Sequence, residues 1–440
     1  MFSRFAFFYL QSLGTWRLSR DKLRDLQGRK LQRTVRNAYA HLSMYRSAFD
    51  KSGVTPSGVA GIGDLARLPP VTKKDIIANY PQGVRRPDIR AALVRTGSGT
   101  TGVKSETVWS SEQLDLNHAL LSRRLTMAGV RPWTRIASLW PPRSNWRKER
   151  EGSREAVPTT TLSWRTGFST VARNLPNVRG FFISYDLTAE EARGLARFAP
   201  DFIQGNPSYL RRVGEGLRRH GVMVKPRAVI CANENFTSTV RKELSDLFDC
   251  SVLNAIGATE LGVVGSECES QTGLHLNEDY MVCEVLRDGE PVSPGEVGEL
   301  VMTSLHNDAM PFIRYRTGDI VELGSTSRCS CGSSLMRISR IVGRAGEGLL
   351  TASGNRILSM DVAEEVERST RLRDYQIVQT EAKRFILRLA PGGDSGPEDT
   401  DRVKALLGER LGGNVSVRVE MRGEYEVWQK GRPVLTKLTS

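Results

Sequence analysis

The sequence predicts an α/β fold: a large N-terminal α/β domain with a β-rich subdomain, followed by a small α+β C-terminal domain. Three observations carry this. Between Ile136 and Ile230, short apolar runs alternate with helical patterns, as in a sheet covered by helices. After about residue 275, strand-like runs follow one another with Gly, Pro and Asp turns between them. Beyond Arg344 a compact tail mixes helix and strand patterns. A chain of 440 residues has room for two or three domains and a large core.

The elements follow in order. Residues 1–10 are apolar apart from Arg4 and Ser3, and too short to span a bilayer, which needs about 20 residues. They read as a helix turn packed on the body. From about residue 20 to 50, Leu23, Leu26, Leu31, Val35, Ala38 and Leu42 recur at helical spacing among Arg24, Arg29, Lys30, Arg33 and Arg36. This predicts an amphipathic helix with a basic outer face. Leu68-Pro69-Pro70-Val71 breaks the chain, and Thr72 is placed to cap a helix starting near Lys73. Ile136–Trp140, residues 180–184 and Ala228–Ala232 read as buried strands, with helices over 190–198 and 209–220 between the last two. Strands are expected over 282–286, 297–303 and 320–323. In the tail, 360–370 and 399–411 look helical, 375–380, Arg384–Leu389 and 415–421 look like strands, and 390–397 is a surface loop.

Composition is that of an ordinary globular protein, 39% hydrophobic and 25% charged. The net charge of +14 attracts anions without choosing among nucleotides, coenzyme A, acidic carrier proteins, nucleic acid and anionic lipid. No nucleic-acid motif and no interleaving of basic and aromatic residues accompanies it, which argues against a nucleic-acid partner. Six cysteines do not make a disulfide scaffold, and neither a secretory signal nor a transmembrane segment is visible, so a cytoplasmic setting is expected.

The most informative segment is Arg95-Thr96-Gly97-Ser98-Gly99-Thr100-Thr101-Gly102-Val103-Lys104. With so little side-chain bulk, backbone N–H groups can close around phosphate oxygens, and the hydroxyls and lysine add donors and charge. It is not the common P-loop, because Val103 separates Gly102 from Lys104. Taken alone it also fits a flexible turn. Downstream come Ile256-Gly257-Ala258-Thr259-Glu260, Tyr315-Arg316-Thr317-Gly318-Asp319, Gly343-Arg344 and Gln429-Lys430-Gly431-Arg432.

In order and spacing these motifs resemble the adenylate-forming enzymes: acyl-CoA synthetases, luciferases and peptide-synthetase adenylation domains. Within them the chain is most similar to phenylacetate–CoA ligases and their capsule-biosynthesis-type relatives, a likeness that extends to the opening phrase around Leu31–Ile76 and so covers nearly the whole chain. The resemblance implies an ATP-dependent attack of a carboxylate on the α-phosphorus, giving an acyl-adenylate and pyrophosphate, then transfer to a thiol, above all coenzyme A. Two anions must meet, so cations and donors are needed. By resemblance, Thr96 to Lys104 would hold the β/γ-phosphates. Glu260 would ligate Mg²⁺, and Thr259 would touch the α-phosphate. Asp319 would accept from both ribose hydroxyls, and Arg344 would reach ribose or phosphate. Glu234 would stand where the acid and adenine pockets meet, beside Ile256 and Gly257. Lys430 would bridge the carboxylate and the α-phosphate; Lys437 is the alternative. Candidates for the acid pocket are Trp140, Pro141, Asn206, Pro207, Tyr209, Asn233 and Ala258.

The resemblance also sets the expected domains, 1–343 binding the nucleotide and 344–440 moving on a hinge. The chain departs from the family pattern in three places. Ile256 replaces an aromatic that stacks on adenine; Ala345-Gly346-Glu347-Gly348 adds a glycine that should loosen the hinge; and Gln429 precedes Lys430 where glycine is usual. Cys268, His275, Cys329 and Cys331 supply three thiols and an imidazole, a set that completes a tetrahedral Zn²⁺ site. The C-x-C spacing is tighter than the usual C-x-x-C, but some members of the family carry zinc at similar positions, which implies a structural staple. The plain alternative is ordinary thiols and a surface histidine. Coenzyme A, a carrier protein and an amine all remain as acceptors, with residues 143–150 either a basic stretch to grip one of the first two or, the commoner case for a charge run, a solvated loop. A degenerate nucleotide-binding relative remains the other reading.

Overall fold

The chain folds around one long sheet that changes character in its middle. The computed structural model describes residues 4–96, 106–131, 133–140, 178–183, 186–234, 236–390, 396–422 and 433–438. Helix α1 (Arg4–Thr15) buries Phe5 and Phe8 against α5 (Ser111–Met127), as expected of an apolar run packed on the body. The single helix expected over 20–50 is two, α2 (Arg20–His41) and α3 (Ser43–Lys51). Leu42 between them is fully buried with extended backbone, so the core takes its side chain at the expense of helical continuity. In α4 (Lys73–Asn79) Thr72 accepts from the Asp75 N–H while Asp75 accepts from the Thr72 N–H, the reciprocal cap the sequence suggested.

Next comes a hairpin of β1 (Leu93–Thr96) and β2 (Glu106–Trp109), whose Thr96 and Glu106 are register partners. The parallel half of the long sheet contains β3 (Ile136–Trp140), β4 (Val178–Phe182), β5 (Phe202–Gly205), β6 (Ala228–Ala232) and β7 (Ser251–Ala258), in spatial order β4-β3-β5-β6-β7. The strand expected at 180–184 begins two residues earlier, and β5 had no counterpart in the sequence reading. Helices α6 (Ala189–Phe198), α7 (Pro207–Arg219) and α8 (Ser238–Phe248) cover one face, packing Leu195, Leu210 and Phe248 on Leu139, Ile203 and Val229. The opposite face takes α5, whose Leu125 and Ala128 meet Ile136, Phe202, Ile230 and Leu253.

At β7 the sheet reverses. Strands β8 (Gly262–Ser266), β9 (Leu274–Leu276), β10 (Met281–Arg287), β11 (Glu290–Pro291), β12 (Val297–Ser304), β13 (Tyr315–Leu323) and β14 (Arg337–Arg344) pair antiparallel in the order β8-β9-β14-β13-β12-β10-β11. Among the described residues the whole sheet has twelve strands. Beyond Arg344, β15 (Leu349–Leu350) pairs with β16 (Arg356–Ile357), and α9 (Ser359–Ser369) and α10 (Pro397–Leu411) flank a sheet of β17 (Tyr375–Glu381), β18 (Arg384–Leu389), β19 (Ser416–Met421) and β20 (Val434–Thr436), order β19-β18-β17-β20. Its own core joins Val362, Val366, Leu387, Val403, Leu407 and Val434. The observed α/β body, β-rich half and α+β tail match the expected fold class. No helix among the described residues is long and apolar enough to cross a membrane.

Candidate active site

Described residues of four motifs, Glu260, Tyr315 with Asp319, Arg344 and Arg95, converge where the parallel and antiparallel halves meet. Glu260 lies in the turn after β7. Its Oε1 accepts from the Tyr315 hydroxyl at the start of β13, 3.1 Å away. Four residues along β13, Asp319 is the register partner of Arg344, the last residue of β14. Arg344 Nε lies 3.2 Å from Asp319 Oδ1, and its Nη2 donates to the Thr317 carbonyl at 2.9 Å. Asp319 therefore belongs to a strand rather than a simple turn. Gly318 before it has φ +76°, a left-handed conformation that bends the strand locally.

Electrostatics follow from this packing. Burial pushes the Asp319 carboxyl above its ordinary value; Arg344 pulls it down, and neighbouring Glu260 pushes it up again. The Tyr315 phenol is raised, first by burial and then by Glu260. Arg95, at the foot of the glycine segment, stacks over the Trp109 ring with its guanidinium carbon 4.7 Å from the centroid. Burial lowers its pKa and Glu260 opposes that shift, while its Nε is buried without a hydrogen bond. Sequence reasoning gave no role to Arg95 or Tyr315. Both stood inside quoted motifs, but nothing in the spacing marked them as the groups that surround Glu260.

The remaining expectations sort as follows. Thr96 is exposed at the end of β1, while Gly97, Ser98, Gly99, Thr100, Thr101, Gly102 and Lys104 lie outside the described residues, as do Lys430, Pro141 and residues 143–150. Thr259 is half-buried in the turn beside Glu260, Ile256 is half-buried against the main core, and Gly257 is exposed where β7 meets β8 with a shifted register. Lys437 is exposed just past β20. Glu234 is bound to the start of α7: it accepts from Asn206 Nδ2 at 3.1 Å and from the Ser208 hydroxyl at 2.6 Å and N–H at 3.3 Å. Burial nonetheless raises its carboxyl pKa, against the pull of Ser208 and Asn206. Asn233 joins the cluster by donating to Asn206 Oδ1 at 3.0 Å. Tyr209 belongs to the core on the far face of the sheet, where its hydroxyl donates to the Ile183 carbonyl. Gly346, the glycine expected to loosen the hinge, sits at φ +82° in a turn in which the Glu347 N–H donates to the Arg344 carbonyl at 2.9 Å.

The tail docks on the body through α7 and α8. Arg211 and Arg212 reach Asp374 at 2.6 and 3.3 Å, and Thr237 and Ser238 donate to Glu367 and Glu364.

A second cluster lies in the β-rich half. The ligand atoms of Cys268, His275, Cys329 and Cys331 all lie within 4.8 Å of one another. Cys268 Sγ is 3.8 Å from Cys329 Sγ, and Cys331 Sγ is 3.6 Å from His275 Nε2. A tetrahedral zinc with thiolates at about 2.3 Å has sulfur–sulfur edges of about 3.8 Å, so the chemistry and spacing of the donor set fit that ion. The Cys331 hydrogen bond and then His275 hold the Cys268 thiol well below its ordinary range. Cys329 also lies 3.4 Å from the Thr272 hydroxyl, which accepts from Arg337 Nη1.

No family model matches the chain. The chain is 30% identical to phenylacetate-coenzyme A ligase of Thermus thermophilus over 347 residues, covering 77% of this chain and 74% of the relative. It is 28% identical to phenylacetate-coenzyme A ligase of Escherichia coli over 357 residues, 79% of this chain and 76% of that one. Among solved structures, 2-hydroxyisobutyryl-CoA ligase in its postadenylation state superposes with a TM-score of 0.74 at 18% identity, over 92% of this chain and 88% of that one. That last likeness is one of fold.

Proposed function

The chain belongs to the phenylacetate–coenzyme A ligase branch of the adenylate-forming enzymes, and from that premise we propose how its site works. The enzyme is an AMP-forming acid–thiol ligase: it activates a carboxylic acid with ATP as an acyl-adenylate and passes the acyl group to the thiol of coenzyme A. The observation that carries the residue assignments is the gathering of Glu260, Tyr315, Asp319, Arg344 and Arg95 at the junction of the two half-sheets.

Asp319, kept in place by Arg344, accepts from the ribose hydroxyls. Arg344 adds positive charge beside them. Thr96 to Lys104 with Arg95 receive the phosphates, and Thr259 donates to the α-phosphate. Glu260 holds Mg²⁺, which when bound would neutralise phosphate charge; the Tyr315 hydrogen bond on Oε1 fixes the carboxylate and leaves Oε2 without a hydrogen bond among the described residues. Glu234 orders the rim of the acid pocket by holding the start of α7, and Ile256 and Gly257 border the adenine. Lys430 bridges the two reacting anions, which lowers the cost of bringing them together. The tail from residue 344 turns on the Gly343-Arg344 hinge between half-reactions, which requires the Asp374 contacts to break. Cys268, His275, Cys329 and Cys331 hold a structural Zn²⁺ that ties the β8–β9 connection to the β13–β14 connection. The six cysteines, none of them in a disulfide, suit a reducing, cytoplasmic setting.

The test is pyrophosphate release from ATP and Mg²⁺ with pooled aryl, fatty and small polar acids, with and without coenzyme A. Acid-dependent release accelerated by coenzyme A supports the reading. Acid-dependent release indifferent to coenzyme A moves the acceptor to a carrier protein or an amine. No release with any pooled acid, at intact nucleotide binding, refutes a ligase.

A further inference from the structure

Among the described residues three buried arginines have carboxylate partners, while buried Arg337 donates instead to the Thr272 hydroxyl and the Ser327 carbonyl. Arg123 pairs with Asp279, Arg211 with Asp374 and Arg314 with Glu284. Arg124, the next residue to Arg123 on α5, has a single hydrogen bond among the described residues, from Nη2 to Gln204 Oε1 at 3.3 Å. Its Nε is buried and unpaired. Burial alone lowers its pKa to about 10, with no neighbouring charge contributing. A guanidinium stays protonated in proteins, so this is a half-buried cation whose side chain meets only an amide dipole among the described residues.

Its position is specific. Gln204 donates from Nε2 to Ser138 Oγ at 2.7 Å, and both side chains are buried, 3% and 2% exposed. Ser138 and Gln204 are register partners on β3 and β5, at the middle of β3 and one residue before the end of β5. They interrupt a face that is otherwise apolar beneath α5, where Ile136, Phe202 and Ile230 pack on Leu125. The chain leaves β3 for β4 on one side and returns to β5 on the other. The β3/β5 boundary is therefore the topological switch point of the parallel sheet, the place where open α/β sheets leave a ligand crevice beyond the strand ends. Glu260 follows the carboxyl end of β7 on this same edge.

We propose that Arg124, oriented by Gln204 and Ser138, is a specificity-determining residue of the acid pocket, and that the acid carries a second carboxylate remote from the one that is activated. This rests on the adenylation reading above. The second carboxylate supplies the charge that Arg124 lacks, and a dicarboxylic acid then binds through both ends, one at the nucleotide and one at Arg124. A hydroxyl or carbonyl would satisfy the hydrogen bond but leave the cation without its counter-charge.

The test uses the full chain and acid-dependent pyrophosphate release, with mono- and dicarboxylic acids matched in carbon number, both aliphatic and aromatic. The wild type should favour the dicarboxylic member of at least one pair. Arg124→Met should lower kcat/KM for that acid about 10- to 100-fold, the value of one or two charge-assisted hydrogen bonds. The same variant should leave the monocarboxylic partner unchanged or improved. Arg124→Lys, which keeps the charge, should restore part of the preference, and thermal unfolding of each variant checks folding. Use of monocarboxylic acids alone by the wild type would overturn the proposal and leave adenylation standing. So would an equal fall for both members of the pair in Arg124→Met, which marks a packing role. Absence of release with every acid, while ATP still binds, would overturn the adenylation reading and the proposal with it.

Discussion

Replacing Arg344 with glutamine should move the acid limb of nucleotide binding upward by about one pH unit. The Asp319 side chain is 23% exposed, and burial has already raised its carboxyl above the ordinary value of 3.8. Arg344 is the main group opposing that shift. Two unit charges at this separation interact by about 4 kcal/mol at an effective dielectric constant near 20. The Arg344 side chain is 39% exposed, however, and solvent screening draws the value toward the roughly 1 kcal/mol of open pairs. A working figure of about 1–2 kcal/mol is about one pKa unit. A carboxylate accepts from ribose hydroxyls best when ionised, so affinity is present above the Asp319 pKa and lost as pH falls through it. Titration of ATP binding by calorimetry across acid and neutral pH reads the limb directly, apart from any uniform loss due to the missing arginine contact. Asp319→Asn should weaken binding and abolish the limb. Stability gives an independent check. A carboxyl whose folded pKa is raised contributes stability below its unfolded pKa and loses it as pH rises through the folded one. Asp319→Asn should therefore be as stable as the wild type or more so at neutral pH, the advantage shrinking in acid. An acid limb unmoved in Arg344→Gln, or still present in Asp319→Asn, would refute the assignment.

Two further outcomes are expected. Protein purified without added metal should carry close to one zinc per chain by elemental analysis, and Cys329→Ser should reduce that content and lower Tm; substoichiometric zinc that ignores the substitution counts against the site. Lys430→Ala should abolish adenylate formation while ATP still binds, and Lys437→Ala should remain active; the reverse pattern, read in a pyrophosphate exchange assay, would assign the bridging role to Lys437.

Much of this architecture was legible because it rests on local pattern. The alternation of apolar runs and helices marked the parallel half, and Thr72 with Asp75 announced α4 through a local hydrogen-bond exchange. The motif around Asp319 was visible because its glycine and acid are distinctive residue types. What escaped is set by distant partners. Strand β5 has only four residues, one of them Gln204 and one Gly205, and it reads as a strand only once β3 and β6 lie on either side. The break at Leu42 depends on where the core needs a side chain. Tyr315 and Glu260 are 55 residues apart, and no spacing rule joins them. Glu234 carried an expectation about ligand binding, yet its visible partners belong to the start of α7, a contact set by the β5–α7 and β6–α8 connections lying side by side. Arg124 is one of two adjacent arginines on a helix. Only the structure shows that Arg123 has a carboxylate and Arg124 does not.

The sheet reversal explains why one site draws on such separated segments. A parallel sheet offers ligands the edge beyond its carboxyl ends, where side chains from successive loops meet without blocking one another. It offers few fixed side chains there, because loops hold them less firmly than strands do. An antiparallel ladder has the opposite virtue: register fixes each side chain, and a one-residue slip would turn Asp319 to the other face. In this protein the ladder is held at Asp319↔Arg344 by the pairing of β13 with β14, with register shifts just beyond it absorbing the extra length that Gly318 bends. The turn at Thr259 and Glu260 is the covalent link between the two half-sheets, following the last parallel strand and preceding the first antiparallel one. A carboxylate there faces the open edge on one side and receives the Tyr315 hydroxyl from the rigid ladder on the other. On the proposed reading the ladder would supply positional precision for the nucleotide, while the open edge, with Arg124 at the switch point, would be left free to vary with the acid.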